Sequence, residues 1–239
     1  MIQNLPIYIS ISFIITSIVT LLLFYWVIKN SNSENVRKKS RIILLGLTIW
    51  LLIQGILSLK NVYSFNINSM PPKIILFGIA PTILTLLLLF LSKKGRIFID
   101  SLEVAKLTLI NTVRIPVEII LYLLFINSVI PKLMTFEGRN FDLLAGISAP
   151  IIYYGLRKSK LNSKVILIWN FVSLGLLLNI VINALFSAPS PFQKFAFDQP
   201  NIAILHFPFS FLPTFIVPVV LFGHLISIRK LIKIDLNNN

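Results

Sequence analysis

The chain alternates between long apolar runs and short polar segments rich in lysine and arginine. The apolar runs are about 17 to 25 residues long, the length at which a helix crosses a ~30 Å hydrocarbon core. The pattern therefore predicts an all-α membrane protein, a single domain over 1–239 built as a bundle of seven transmembrane helices. The predicted spans are 6–28, 42–59, 74–92, 104–126, 139–156, 164–187 and 204–228.

The composition fits this class. Hydrophobic residues make up 56% of the chain and charged residues 13%, with a mean hydropathy of +0.88, whereas about a quarter of the residues in soluble domains are charged. The run 6–28 is interpreted as a retained helix, because no positive segment precedes it and it is longer than the core of a signal peptide. The uncharged part of 139–156 is short, so this span is expected to stand nearly upright, to thin the bilayer locally, or to bury its polar end in the bundle.

The basic residues predict the orientation. Sixteen lysines and arginines fall in the segments on one side of the predicted bundle, five fall on the other side, and Arg114 lies inside a span. The positive-inside rule then places the N-terminus outside and the C-terminus in the cytoplasm. The formal charge of +14 flanks apolar runs rather than lining a groove, so we expect the bilayer and a small molecule as partners, and no nucleic acid.

The fourth span carries charge near its middle. Asn111, Arg114, Glu118 and Tyr122 follow the i, i+3, i+7, i+11 spacing of one helical stripe. A charged residue at mid-bilayer costs roughly 2.5 to 3.5 kcal/mol, so such residues pair, line a cavity or carry function. Arg114 and Glu118 are one turn apart, and two interpretations stay open: a structural ion pair, or a ligand-binding or proton-linked site.

Further polar residues are predicted in the outer half of the bundle. Asp142, Asn179, Asn183 and His206 would join the charged stripe in an outward-facing polar cavity. The alternatives are an interfacial histidine and asparagines that only bond between helices. Two outer loops are candidates for a lid, or are ordinary ordered loops; their polar residues are Glu137, Arg139, Asn140, Asp198, Gln199 and Asn201.

The inventory of reactive side chains is small. The chain has no cysteine and two histidines, His206 and His224, which excludes thiolate chemistry and disfavours a zinc site. Eighteen residues apart on one predicted helix, the histidines would lie ~27 Å apart and would not share a metal or a haem. We predict no metal, no cofactor and no catalytic residue, so an enzyme is the less favoured class.

Three strings carry a resemblance to known proteins. They are RIPVE at 114–118, PKLMTFEGRNFDLLAG at 131–146, and SAPSPFQKFAFDQPN at 187–201 running into ILHFPF. At these residues the sequence resembles a family of uncharacterised bacterial inner-membrane proteins over about the C-terminal two thirds of the chain. The resemblance implies a multi-pass protein of the bacterial inner membrane, and it implies no activity.

Three functions follow from these observations. The first is small-ligand binding, as a transporter or a sensor, with Glu118 as the proton-linked or cation-contacting carboxylate and Arg114 as its partner or as an anion anchor. The second is a membrane-embedded lipid-modifying enzyme using Glu118, Asp142 or His206 as acid or base. The third is a structural subunit of an envelope complex, in which the charged stripe only holds helices together.

Overall fold

The computed structural model of the protein describes residues 2 and 4–237, and the side chains of residues 2 and 4–233. Within that part of the chain the regular structure is helical throughout. Short 3-10 turns at Lys132–Met134 and Ala203–Leu205 lie between the longer helices. The longer helices are α1 (Ile7–Lys29), α2 (Glu34–Leu59), α3 (Ile75–Leu91), α4 (Lys93–Ser101), α5 (Val104–Ile126), α6 (Asp142–Arg157), α7 (Ser163–Ser187) and α8 (a π-helical turn Leu212–Ile216 continued by Val217–Asn237).

α5 is the central helix. It packs against α1, α6 and α8, and a broad stripe of its apolar side chains is buried, whereas Ile119 is 52% exposed. By contrast α2 packs mainly on α1 and exposes large apolar side chains such as Ile42, 71% exposed, and Leu52, 61% exposed. Such an apolar outer surface is that of a helix surrounded by lipid. The buried apolar residues of α5 are Leu107, Ile110, Val113, Val117, Ile120, Leu121 and Leu124.

The predicted count of seven spans is supported only in part. Among the described residues, α1, α2, α5, α7 and Leu212–Lys233 of α8 are long and apolar enough to cross a membrane, and α3 with α4 makes a sixth candidate if that bent pair is one span. α6 has 16 residues, or ~24 Å at 1.5 Å per residue, which is short of the hydrocarbon thickness. The structure therefore gives a helical, multi-pass membrane protein with five or six candidate spans.

Two predicted helix starts lie eight residues from the observed ones. α2 begins at Glu34, before the predicted start at 42, because the basic residues of its first turns continue the helix beyond the apolar run. α8 begins at Leu212, after the predicted start at 204. The residues ahead of it form a 3-10 turn and a loop that contains Pro208, a residue without the N–H that a continuous helix needs.

A sharp bend separates α3 from α4. The two helix axes differ by 91°, and Ser92 between them has an extended backbone and accepts a 3.0 Å hydrogen bond from the Gly95 amide through its Oγ. That bond caps the start of α4. Gly95 is required by the bend, since a Cβ there would lie 2.2 Å from the carbonyl oxygen of Leu89.

One end of the bundle gathers most of the charged side chains, and we call it the basic end. Asp100 contacts Arg229 at 3.3 Å and Lys233 at 3.2 Å. Glu103 contacts Lys106 at 2.7 Å and Arg157 at 3.2 Å. These contacts join the end of α4 to α8, and the start of α5 to the end of α6. At the opposite end the loops 128–134 and 187–202 meet where the amide of Ile202 donates to the carbonyl of Val129, and the amide of Asn201 closes its own loop by donating to the carbonyl of Ser187.

Candidate functional site

Arg114 lies at the centre of a buried polar cluster. A 3-10 turn at Asn111–Val113 precedes it in α5, and its side chain is 3% exposed. Its Nε donates to Asp142 Oδ2 at 2.8 Å, and its Nη2 lies 2.7 Å from Oδ1, close enough for an ion pair although outside hydrogen-bond geometry. Nη2 also donates to the carbonyl of Ser173 at 2.9 Å. One guanidinium thus connects α5, α6 and α7.

The partner of Arg114 is on a neighbouring helix rather than one turn along its own. Among the described residues its ion pair is with Asp142, so the pair that the i, i+4 spacing with Glu118 suggested is not the one formed. The reason is the close approach of α6 to α5 at Gly146. A Cβ at this glycine would lie 3.1 Å from the Ile115 amide nitrogen and 3.2 Å from Arg114 Cβ, so only glycine brings the carboxylate of Asp142 this close without displacement.

Glu118 is held by an amide instead of a cation. Its side chain is buried, and Asn140 Nδ2 lies 2.6 Å from both carboxylate oxygens. Asn140 also donates to the carbonyl of Met134 at 3.1 Å, and its Oδ1 accepts from the amide of Asp142 at 3.0 Å. In the described part of the chain no lysine, arginine or histidine forms an ion pair with Glu118. Its carboxylate therefore keeps lone pairs for a further donor.

A cavity of about 380 Å³ lies between α3, α5, α7 and α8, and Glu118 and Asp142 form part of its wall. The rest of the wall is predominantly apolar, and Tyr63 and Lys73, from the segment between α2 and α3, also line it. The size is within the range of ligand pockets, roughly 300 to 1,000 Å³. The apolar side chains include Ile75, Ile79 and Ile83 of α3, Leu177, Val181 and Ala184 of α7, and Val217 and Leu221 of α8.

In place of the polar cavity predicted from the sequence, the structure has a predominantly apolar cavity with two carboxylates in its wall. The remaining predicted polar residues are occupied elsewhere. Asn179 Nδ2 donates to the carbonyl of Arg139 at 2.7 Å, and Asn183 Nδ2 donates to Asn179 Oδ1 at 3.3 Å. The ring of Tyr122 stacks on Phe136 at 5.0 Å between centroids. Among the described residues, the cavity wall does not include Asn179, Asn183 or Tyr122.

His206 lies apart from this cluster. It follows the 3-10 turn Ala203–Leu205, ahead of α8, and does not belong to the cavity wall. Its side chain is half-buried, and its Nδ1 has no partner among the described residues. His224, by contrast, is fully buried, and its Nδ1 lies 3.0 Å from Asn170 Oδ1. The sequence analysis did not predict this contact, because Asn170 lies in an otherwise apolar run.

Some of the predicted outer-loop residues are buried within the protein, and the others are exposed at its surface. Asn140 is buried against Glu118, as described above. Gln199 Nε2 donates to the carbonyl of Ile130 at 2.5 Å and so joins the two loops. Asn201 is buried, and neither its side-chain oxygen nor its nitrogen has a partner in the described residues. Glu137, Arg139 and Asp198 have exposed side chains, and that of Glu137 lies 4.0 Å from Lys132.

Across the described residues, three or more histidine, cysteine, aspartate or glutamate side chains do not come together as a group able to hold a metal ion. No curated protein and no solved structure matches the chain. One family model does match, over residues 71–232, and this range contains all three strings RIPVE, PKLMTFEGRNFDLLAG and SAPSPFQKFAFDQPN. The chain belongs to the family defined by the domain of unknown function DUF8737.

Proposed function

We propose that this membrane protein binds a small amphipathic molecule in the cavity between α3, α5, α7 and α8, with Glu118 as the polar anchor. The observation that carries the proposal is a buried carboxylate without a cationic partner among the described residues, set in the wall of a predominantly apolar cavity of about 380 Å³. Apolar walls with one or two placed polar groups are typical of small-molecule sites. A ligand-binding site of this kind is what a transporter or a sensor requires.

The chemistry of the wall specifies the ligand. An apolar body is favoured, because most of the surface that it would cover is aliphatic and each buried CH₂ group contributes ~0.8 kcal/mol. An ammonium, amide N–H or hydroxyl group is favoured at Glu118, because a donor completes the hydrogen bonding of a carboxylate that Asn140 satisfies only in part. A second carboxylate at this position would be repelled.

We further propose seven membrane spans, with the N-terminus outside and the C-terminus in the cytoplasm of a bacterial inner membrane. The seventh span is α6, which packs beside the central helix α5. Local thinning of the bilayer compensates for its short length. The cluster of lysines and arginines at the basic end supports this orientation. In this orientation the cavity lies in the outer half of the bundle, and Lys73, in its wall, lies at the outer surface.

The test is thermal unfolding of the purified protein in lipid nanodiscs with octylamine, octanol and octanoate as probes. Octylamine is expected to raise the midpoint most, in proportion to RT ln(1 + [L]/Kd), which is ~2.7 kcal/mol at a hundredfold excess over Kd. Octanoate is expected to have no effect. The shift with octylamine is expected to disappear in Glu118→Gln and to persist in Glu137→Gln, which neutralises an exposed carboxylate.

A cavity-filling variant separates binding in the cavity from a general effect of the amine on the bilayer. Ala184 lines the cavity, so Ala184→Phe is expected to abolish the shift while the unliganded protein still unfolds cooperatively. Equal shifts in wild type, Glu118→Gln and Ala184→Phe would overturn the proposal. Uptake of octylamine into proteoliposomes then distinguishes a transporter from a sensor.

The apolar wall also favours a second candidate, a lipid-modifying enzyme with Glu118 as acid or base. Asp142, the other carboxylate in the cavity wall, is already committed to Arg114, which leaves Glu118 to act alone. Mass spectrometry of nanodisc lipids before and after incubation with the protein separates the two functions. A lipid product that the wild type forms and Glu118→Gln does not form would identify an enzyme.

A further inference from the structure

A second cavity, of about 450 Å³, runs between α2 and α3. Its floor is aromatic and is formed by Phe24 of α1, Phe98 of α4, and Phe215 and Phe222 of α8. The rings contact one another: Phe98 stacks on Phe222 at 6.4 Å, and Phe24 meets Phe222 edge-on at 6.2 Å. We call this cavity the α2–α3 groove, and it is separate from the cavity at Glu118.

The walls of the α2–α3 groove are two apolar helix stripes. Ile43, Leu47 and Trp50 line it from α2, and Leu86 and Leu89 line it from α3, at spacings that place residues on one helix face. At Gly46, also in the wall, a Cβ would meet no atom within 4 Å. The groove is therefore open along α2, with room for a chain-like occupant.

Each stripe leads to a lysine at the basic end. Lys39 lies four positions before Ile43 in α2, and Lys93 follows α3 four positions after Leu89, where the chain bends into α4. Both lysines are exposed, and neither forms an ion pair among the described residues. The acidic residues nearest to them in sequence are already paired, Glu34 with Lys38 at 2.8 Å and Asp100 with Arg229 and Lys233.

We propose that the α2–α3 groove binds an acyl chain of an anionic phospholipid, with the lipid phosphate on Lys39 and Lys93. Charge complementarity selects this occupant, because an apolar groove that ends at two uncompensated cations matches an apolar chain that ends at a phosphate. The start of α4, also at Lys93, adds the positive end of a helix dipole. The site uses none of the groups at Glu118, so it stands apart from the proposed function.

Native mass spectrometry of delipidated protein in detergent tests the site. The probes are phosphatidylglycerol and phosphatidylcholine with identical acyl chains. Wild type is expected to retain one phosphatidylglycerol with at least tenfold preference over phosphatidylcholine, because the anionic headgroup attracts both lysines and phosphatidylcholine carries no net charge. Lys39→Gln/Lys93→Gln is expected to lose that preference. Lys160→Gln/Lys164→Gln, the same change of charge at one exposed lysine just before α7 and one in its first turn, is expected to keep it.

Two glycine variants test the groove itself. A Cβ at Gly46 or at Gly175 meets nothing within 4 Å, so a side chain added at either position begins in open space. Gly46→Phe fills the groove and is expected to reduce phosphatidylglycerol binding at least tenfold, whereas Gly175→Phe, outside the groove, is expected to leave it unchanged.

Three results would overturn the proposal: equal loss in the two lysine double variants, equal binding by the two glycine variants, or full displacement of the lipid by inorganic phosphate. The last result would identify a site for free phosphate instead of a lipid.

Discussion

The protein contains two groups of ion pairs in opposite surroundings. In the middle of the bundle, Arg114 and Asp142 are 3% and 6% exposed, and each forms its ion pair with the other. At the basic end, the side chains paired with Asp100 and Glu103 are 16% to 56% exposed, and each carboxylate has two cationic partners. The buried group is a single pair fixed by three helices, and the exposed group is a redundant network.

The difference determines what each group contributes. A buried charge that loses its partner remains in a medium of low polarity, which is strongly destabilising even where the intact pair contributes little. An exposed charge that loses a partner regains water, so exposed pairs contribute about 0 to 1 kcal/mol. We therefore expect the buried pair to be sensitive to single substitutions and the basic end to be tolerant of them.

The largest effect is expected from Asp142→Asn. It leaves the guanidinium of Arg114 buried without a counter-ion, and the free energy of unfolding is expected to fall by ~3 to 5 kcal/mol. Denaturant unfolding in nanodiscs measures the loss.

The matched control is Arg114→Met/Asp142→Leu, which removes both charges and fills the same space. It is expected to recover most of the stability, because neither charge is then left unpaired. A loss below 1 kcal/mol in Asp142→Asn would show that water or another group reaches Arg114, and the comparison between the two groups of ion pairs would fail.

A smaller effect is expected from Asn140→Ala. It removes the donor to both oxygens of Glu118 and the acceptor for the amide of Asp142, so a loss of ~1 to 3 kcal/mol is expected for buried groups left unsatisfied. Asn179→Ala is the control, because Asn179 is half-buried and its hydrogen bond to the carbonyl of Arg139 is exposed to solvent. It is expected to cost less than half as much.

A double-mutant cycle with Glu118→Gln shows whether the Asn140 effect passes through Glu118. The coupling between Asn140→Ala and Glu118→Gln is expected to exceed 0.5 kcal/mol, the usual value for residues in direct contact. The cycle of Asn179→Ala with Glu118→Gln is expected to show additivity. Additivity in both cycles would mean that Asn140 acts only at the start of α6.

Much of the helical architecture follows from the sequence, because membrane helices are specified by local apolar length. Helix is present in all seven predicted runs, and 104–126 is observed with those bounds. The length of α6 was less predictable, since the apolar pattern near 139 does not show that the helix begins only at Asp142. That start depends on Asn140, whose side chain bonds the first amide of the helix.

The site was less predictable than the fold. Polarity identified Arg114, Glu118 and Asp142 as buried groups, but their pairing depends on how closely α5 and α6 approach at Gly146, a distance that spacing along one helix does not contain. The apolar character of the cavity was not predictable from the sequence either. Residues such as Ile79 and Val181 look like ordinary lipid-facing positions until α3 and α7 are placed on either side of α8.

The smallest effect is expected at the basic end, from Glu103→Gln. Burial alone would raise the pKa of Glu103, but hydrogen bonds and charges from Lys106 and Arg157 outweigh it and lower the pKa below its ordinary value of 4.5. A lowered folded-state pKa gives stability that is present above the ordinary pKa and lost as the pH falls through the folded-state value. At neutral pH the variant is expected to lose ~1 kcal/mol or less, and salt is expected to reduce that difference further. The stability difference between wild type and Glu103→Gln, measured from neutral pH downwards, is therefore expected to stay constant to about 4.5 and then to vanish. A difference that grew on acidification would mean that the folded protein raises the pKa of Glu103, and that the basic end resembles the buried pair in its surroundings.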